Sequence, residues 1–478
     1  MTLDLDQIRP DPAQAPRLPR TLATRRLLLP LAEIDGTLHI ACAALPDAPT
    51  RALLEKKLAP TPLEFHLAPP PQLRRALLRL YGTRDDTPSS PEDDATALAD
   101  ELFRAARLRR ASDIHIDPSP SNLRVRFRVD GILEDYRPLP PSAAAPLVSR
   151  IKVLASLDIA ERRAPQDGAF SLPPLPDDPA TATDVRVATL PTRHGERLTL
   201  RLLSSDRRRL TLENLGMSPA HLAAFEDLLA RPHGLCLLTG PTGSGKSTTL
   251  YAAIRRLLQL GNPNILTVED PVEYEIPGVA QAEIDSADKV SFEKALRSLL
   301  RHDPDVIMIG EIRDPASLDT AVKAALTGHL VLSTLHTNSA PGAITRLADM
   351  GLPPHLIAAT LRLAIAQRLV RRLCPHCRRP RPLAPAEAAL LGDPALAGRT
   401  AWDPGACLHC AGRGYVGRTA IFEFLAPDAP LTALVAQGAT LPHILQYLST
   451  TPHQTLAQDA AAKILSGTIS PADALPEL

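Results

Sequence analysis

The pattern of apolar and polar positions divides the chain into three stretches. Leu38-His39-Ile40-Ala41 reads as a short strand, and Arg51 to Leu58 and Gln72 to Tyr81 keep helical spacing. Residues 1–82 therefore predict a small α/β unit. Thr83 to Ser90 is polar with no apolar face to bury, and reads as a linker. Ser90-Pro91-Glu92-Asp93-Asp94 then starts a helix: a cap, a proline in the first turn, and acids against the positive dipole end. Leu98, Leu102 and Ala105 continue it, and Arg107, Arg109 and Arg110 suit its negative end. Leu123 to Val129 alternates strictly and turns at Asp130-Gly131, and further strands are predicted at 184–188 and 197–202. Residues 90–205 thus predict an α+β domain. The charged run Ser204 to Arg209 bounds it and has few apolar residues to pack, so it reads as a hinge. From about residue 211 short buried strands alternate with helices, as in a doubly wound parallel sheet. Four apolar runs, Leu235–Leu238, Ile265–Val268, Val306–Ile309 and Leu330–Thr334, each end in polar or charged residues.

Bulk properties agree with two to four soluble domains in 478 residues. The 49 prolines are about twice the usual share and cluster at 10–19, 60–71, 138–146 and 173–179, which read as linkers and loops. Net charge is zero and aromatic residues are 3%, so no nucleic-acid partner is expected. No apolar run approaches the ~18–20 residues needed to span a bilayer. Asp4 and Asp6 stand where a signal peptide would be basic, so a cytoplasmic location is expected.

The sharpest chemistry is Gly240-Pro241-Thr242-Gly243-Ser244-Gly245-Lys246-Ser247, followed by Thr248, between a predicted strand and a helix running to Gly261. Backbone amides of such a loop point inward at phosphates, and the helix dipole adds to the attraction. Lys246 should reach the β/γ-phosphates of ATP, and Ser247 should ligate Mg²⁺. Val306 to Ile309 leads into Glu311, placed to hold Mg²⁺ beside Ser247. Ile265 to Val268 leads into Glu269, the candidate for orienting and deprotonating the attacking water. His336, at the end of another strand, is placed to sense the γ-phosphate, while His329 is equally well read as catalytic or structural.

Cys374-Pro-His-Cys377 and Cys407-Leu-His-Cys410 form two Cys-x-x-Cys pairs. Four thiolates match tetrahedral structural zinc, with free thiols or a redox pair as alternatives. Cys42 and Cys236 stand alone in apolar segments and are expected to be buried thiols.

Taken together, the phosphate loop, Thr267-Val-Glu-Asp-Pro-Val-Glu-Tyr274, Arg301 to Asp314 and the Gly328 to Thr337 histidine segment resemble the Walker A, Asp-box, Walker B and His-box of type II/IV secretion ATPases. Ala111 to Ile116, Arg126 to Gly131 and Ser149 to Arg162 resemble that family's second N-terminal domain. The resemblance implies an α/β, RecA-like P-loop motor over 210–478 with a tetracysteine zinc subdomain at 371–418. Before it would stand a partner-docking domain over 1–88 and a PAS-like α+β domain over 89–209. It further implies a homohexamer using ATP, Mg²⁺ and Zn²⁺ to drive pseudopilus assembly and protein export. Residues 1–88 would attach the hexamer to an inner-membrane platform and a bitopic membrane protein, leaving it peripheral to the inner membrane. By matching position, Glu269 is the catalytic glutamate, Glu311 the Walker B acid and His336 the His-box histidine. Arg128 and Arg150 are the arginines expected to close on the γ-phosphate, as bidentate donors suit phosphate. The alternative within this mechanism is a type IV pilus assembly ATPase; a DNA-translocating ATPase or a non-enzymatic scaffold fits the residues less well.

Overall fold

The structure is a computed structural model that describes residues 2–82, 91–174, 182–203, 211–261, 263–284 and 292–478. The linker 83–90, part of the Pro-rich 173–179 connection and the hinge expected at Ser204 to Arg209 lie outside the described residues. The chain divides into two compact units. One holds Met1–Arg208, Leu373–Arg379 and Asp403–Gly417; the other holds Arg209–Arg372, Pro380–Trp402 and Arg418–Leu478. The expected 371–418 subdomain crosses this division. Its cysteine-bearing ends cluster with the first unit, and its middle stays with the second.

In the first unit, β1 (Leu28–Ile34) and β2 (Thr37–Cys42) pair antiparallel, and β3 (Leu63–Leu67) joins β2 in parallel at the edge. The helix Pro70–Tyr81 buries Leu73, Ala76, Leu77 and Leu80 in this core. Its first turn is built from Pro70 and Pro71, where a missing amide hydrogen leaves no helical bond unmade. Part of the proline cluster read as linker is thus a helix start.

A six-stranded antiparallel sheet follows, made of β4 (Ala111–Pro118), β5 (Leu123–Val129), β6 (Ile132–Leu139), β7 (Gln166–Leu172), β8 (Thr183–Thr192) and β9 (Gly195–Leu203). Its order is β6-β5-β4-β9-β8-β7. Alternation along β5 sends Leu123, Val125, Phe127 and Val129 inward and the arginines outward. Asp130 and Gly131 both take positive φ, 49° and 91°, as the tight β5–β6 turn requires. Helices Pro91–Leu108 and Ala144–Leu154 contribute Phe103, Leu147 and Ile151 to the core around Phe127. Removing a buried ring such as Phe127 should cost about 3–5 kcal/mol. The first unit holds two hydrophobic cores, one around Ile40 and Leu73 and one around Phe127. Arg109 pairs with Asp11 at 2.5 Å and lies over the rings of Phe127 and Tyr136.

The second unit is built on a seven-stranded sheet whose strands are β10 (Gly234–Thr239), β11 (Ile265–Glu269), β12 (Ala280–Glu283), β13 (Val306–Ile309), β14 (Leu330–Leu335), β15 (Leu361–Leu373) and β18 (Tyr415–Leu425). β16 (Arg379–Pro382) and β17 (Thr400–Asp403) form a separate ribbon. The large sheet is ordered β12-β11-β13-β14-β10-β15-β18. Five successive pairings, from β12 through to β15, are parallel. The four apolar runs singled out in the sequence are β10, β11, β13 and β14, buried along their whole length because helices cover both faces.

Candidate nucleotide site and cysteine cluster

Parallel register brings the strand ends together. Thr239 lies opposite Leu335, Ile309 opposite Ser333 and Val268 opposite Ile309. The phosphate loop after β10, Glu269 ending β11, Glu311 after β13 and His336 after β14 therefore stand along one edge of the sheet, where ligands bind in open parallel sheets.

The loop is held from beneath by β15. Gln367 donates from Nε2 to the Ser244 carbonyl at 2.9 Å and accepts from Thr249 Oγ1 at 2.8 Å. This proximity explains two glycines. A Cβ on Gly240 (φ 144°) would fall 2.5 Å from the Gln367 carbonyl oxygen, and one on Gly245 (φ 91°) 2.8 Å from Gln367 Nε2. Arg368, also buried, donates to the Gln367 and Asn338 carbonyls, tying the loop's support to the segment after His336. Lys246 folds back to donate to the Gly240 and Pro241 carbonyls at 2.7 and 3.1 Å. Burial lowers its pKa, opposed by the charge of Glu311. Ser247 is exposed at the mouth of the loop, and Thr249 is fully buried.

Glu311 is half-buried and accepts from Arg313 and, at 3.2 Å, from His336 Nε2. Arg313 also pairs with Asp270 at 3.0 Å. Burial alone would raise the Glu311 carboxyl, but the Arg313 and His336 hydrogen bonds outweigh it and hold the pKa below 4.5. Glu269 is 3% exposed. Its carboxylate accepts from Tyr251 Oη, from Thr267 Oγ1 at 2.7 Å and from Gln281 Nε2 at 3.0 Å. Burial and the Glu269 charge push the Tyr251 hydroxyl well above its usual value, so it stays a donor. His329 donates from Nδ1 to the Ala324 carbonyl at 2.9 Å, at the end of the preceding helix.

Sequence reasoning missed Tyr251, Gln281, Gln367 and Arg368. The signal for the last two was visible: two polar residues interrupt the apolar run of β15, and a buried polar side chain must find a partner.

In the first unit, Arg128 donates from Nη1 to the Gly131 carbonyl at 2.9 Å, with its Nε 3.9 Å from Asp113. Arg150 is half-buried, and its Nε is among the buried polar atoms without a hydrogen-bond partner. The cysteines converge: Cys374–Cys407, Cys377–Cys410 and Cys407–Cys410 sulfurs are each 3.8 Å apart. Zn–S bonds of ~2.3 Å in a tetrahedron place sulfurs about 3.8 Å apart, so the four fit that ion. The Gly414 amide donates to Cys410 Sγ at 3.1 Å, an outer contact that orients the ligand. Burial and the neighbouring thiols push the Cys374 thiol up to about 11, and a bound cation would favour its thiolate. Cys42 and Cys236 are buried free thiols.

Residues 92–476 match the family described as type II/IV secretion system protein. The chain belongs to that family. Residues 2–87 match a second family, the MshEN domain. Type II secretion system protein E of Dickeya dadantii is 42% identical over 486 aligned residues, covering 95% of this chain and 96% of the relative. The type II secretion system ATPase E of Vibrio cholerae is 44% identical, over 79% of this chain and 75% of its own. Among solved structures, the pilus retraction motor PilT with bound ADP is 27% identical, with a TM-score of 0.55, covering 79% of this chain and 96% of that one. The Legionella pneumophila ATPase DotB, 22% identical with a TM-score of 0.60 over 82% of this chain and 96% of its own, shares the fold.

Proposed function

We propose that this chain is the ATPase motor of a type II secretion system, acting as a ring of six copies. The observation that carries the reading is the nearly end-to-end match to the Dickeya protein of that name, joined to a phosphate loop whose neighbouring strands end in two carboxylates and a histidine. The loop amides and Lys246 would cradle the ATP phosphates, with Lys246 leaving the Gly240 and Pro241 carbonyls as they enter. Ser247 and Glu311 would hold Mg²⁺, which when bound neutralises charge building on the transferred phosphoryl group. His336 would report on the γ-phosphate through its hydrogen bond to Glu311.

Glu269 would orient and deprotonate the attacking water. That role requires Tyr251 to release the Glu269 carboxylate oxygen that it holds. Arg128 and Arg150 would supply charge to the γ-phosphate as the ring turns over. The tetracysteine cluster would carry Zn²⁺ as a staple between two chain segments with little core of their own. Among the described residues no helix is long and apolar enough to cross a membrane. Attachment at the cytoplasmic face of the inner membrane would therefore run through partner proteins bound by residues 1–88.

The test is genetic complementation alongside an ATPase assay. In a host lacking its type II secretion ATPase, the chain should restore export of secreted enzymes, and Lys246→Ala should not. Restored pilus extension without export would overturn the secretion reading in favour of pilus assembly.

A further inference from the structure

The first sheet carries a second set of metal-binding side chains. In the parallel β2–β3 ladder His39 lies opposite Glu64, and Ala41 opposite His66. Side chains alternate faces along a strand, so Leu38 and Ile40, both fully buried, fill the core, and His39 emerges on the opposite face beside Glu64 and His66. His39 Nδ1 is 2.8 Å from His66 Nε2. The Glu64 carboxylate oxygens lie 3.6 Å from each of those nitrogens. The two rings are nearly parallel, with centroids 5.1 Å apart and an interplanar angle of 18°. The imidazole side chains are 14% and 20% exposed and Glu64 is 56% exposed, so the group is open on one side.

We infer that His39, Glu64 and His66 bind a divalent transition-metal ion of the zinc class, with a fourth position open to solvent. Tetrahedral zinc with ligand bonds of about 2.0–2.1 Å sets its ligand atoms about 3.3–3.4 Å apart. The separations of 2.8, 3.6 and 3.6 Å bracket that spacing, and small side-chain rotations bring all three to it. Two imidazoles and one carboxylate are a set that zinc accepts while keeping a coordination site free, unlike the closed four-thiolate cluster. Without an ion, one imidazole hydrogen-bonds the other, and the carboxylate stands beyond hydrogen-bond reach of both. An ion satisfies all three groups at once. It also links the central strand β2 to the edge strand β3, whose pairing is otherwise one-sided. The site is independent of the cysteine cluster: among the described residues the two are separate groupings with no shared ligand.

The experiment is a metal count on the full chain, equilibrated with excess zinc chloride and freed of unbound ion by gel filtration. His39→Ala and His66→Ala should each hold one zinc per chain fewer than the parent, with all four cysteines unaltered. Zinc should raise the melting temperature of chelator-treated parent protein more than that of His66→Gln. If either alanine variant fails to fold, Glu64→Gln, altered at an exposed side chain, supplies the count at limiting zinc. Equal zinc content in parent and variants would overturn the site and leave a hydrogen-bonded histidine pair. Because the readout is a difference of one ion between chains with the same cysteines, it stands whether or not the chain drives secretion.

Discussion

Gln367 donates to the Ser244 carbonyl at 2.9 Å and so fastens the phosphate loop to a strand more than a hundred residues further along the chain. The same side chain accepts from the buried Thr249 hydroxyl. Gln367→Leu should therefore loosen the loop and strand Thr249, lowering stability by about 1–3 kcal/mol. Nucleotide affinity should fall by about tenfold, the equivalent of ~1.4 kcal/mol. Calorimetric ATP titration of the folded variant checks this, and unchanged affinity would show that the loop keeps its shape without this support.

Lys246→Ala and Glu269→Gln separate binding from chemistry. Lys246→Ala should weaken ATP binding itself. Glu269→Gln leaves the phosphate cradle intact while removing the base, so it should bind ATP normally and turn over about 10²–10⁴-fold more slowly. Steady-state hydrolysis with nucleotide titration distinguishes them; near-normal turnover in Glu269→Gln would remove Glu269 from the role. The Tyr251 contact adds a second check. Tyr251→Phe frees one Glu269 oxygen, and hydrolysis should survive that change.

Much of this arrangement was legible in the residues, for a physical reason. Parallel strands buried on both faces read as continuous apolar runs, so β10, β11, β13 and β14 announce themselves, and the candidate site residues follow where each run ends. The strict alternation of Leu123 to Val129 likewise marked β5 to the residue. Hidden features depended on long-range partners. β15 carries Gln367, Arg368 and Arg371 among its apolar residues, and only the three-dimensional neighbours Ser244, Asn338 and Asp473 reveal why each is tolerated. The prolines at 70 and 71 looked like linker because proline signals both a loop and a helix start. The helix over 70–81 resolves that ambiguity. Pairing of the cysteine-bearing ends with the first unit had no local signal at all.

Each single Cys→Ser change among Cys374, Cys377, Cys407 and Cys410 should release one zinc per chain relative to the parent. A cluster with one thiolate missing can no longer close the tetrahedron that structural zinc requires. Protease sensitivity should rise first around 373–379 and 403–417, with ATP binding retained. Zinc content unaltered by these changes would sink the tetrathiolate assignment.

Glu311 gives stability a pH dependence of known sign. Its folded pKa lies below the reference 4.5, because Arg313 and His336 hydrogen bonds outweigh burial. A group depressed in this way contributes fully above its unfolded pKa and loses that contribution as pH falls through the folded value. The parent melting temperature should therefore drop more steeply below pH ~4.5 than that of Glu311→Gln, which has no proton to bind there. Parallel acid limbs in the two melting profiles would show that Arg313 and His336 do not stabilise the carboxylate.

Arg128 and Arg150 make the motor reading testable apart from the phosphate loop. Three arginines point outward from β5, and their partners differ. Arg126 pairs with Asp117 at 2.7 Å, whereas Arg128 donates to the Gly131 carbonyl of its own turn and makes a longer ion pair, 3.9 Å, with Asp113. Arg150 keeps a buried Nε without a hydrogen-bond partner, a feature it shares with Arg126, so turnover and not this vacancy separates the two. If the two close on the γ-phosphate during turnover, Arg128→Ala and Arg150→Ala should lower kcat at saturating ATP by about tenfold or more and leave melting temperature nearly unchanged. Lysine should not rescue either position, since a bidentate contact needs the planar fork of arginine. Arg126→Ala is the control. It loses a partly exposed ion pair contributing about 0–1 kcal/mol, and turnover should be unaffected. Equal, modest effects at all three positions would mean that the arginines serve the sheet and not the nucleotide. The phosphate loop would keep its role, and closure onto ATP would have to come from other residues.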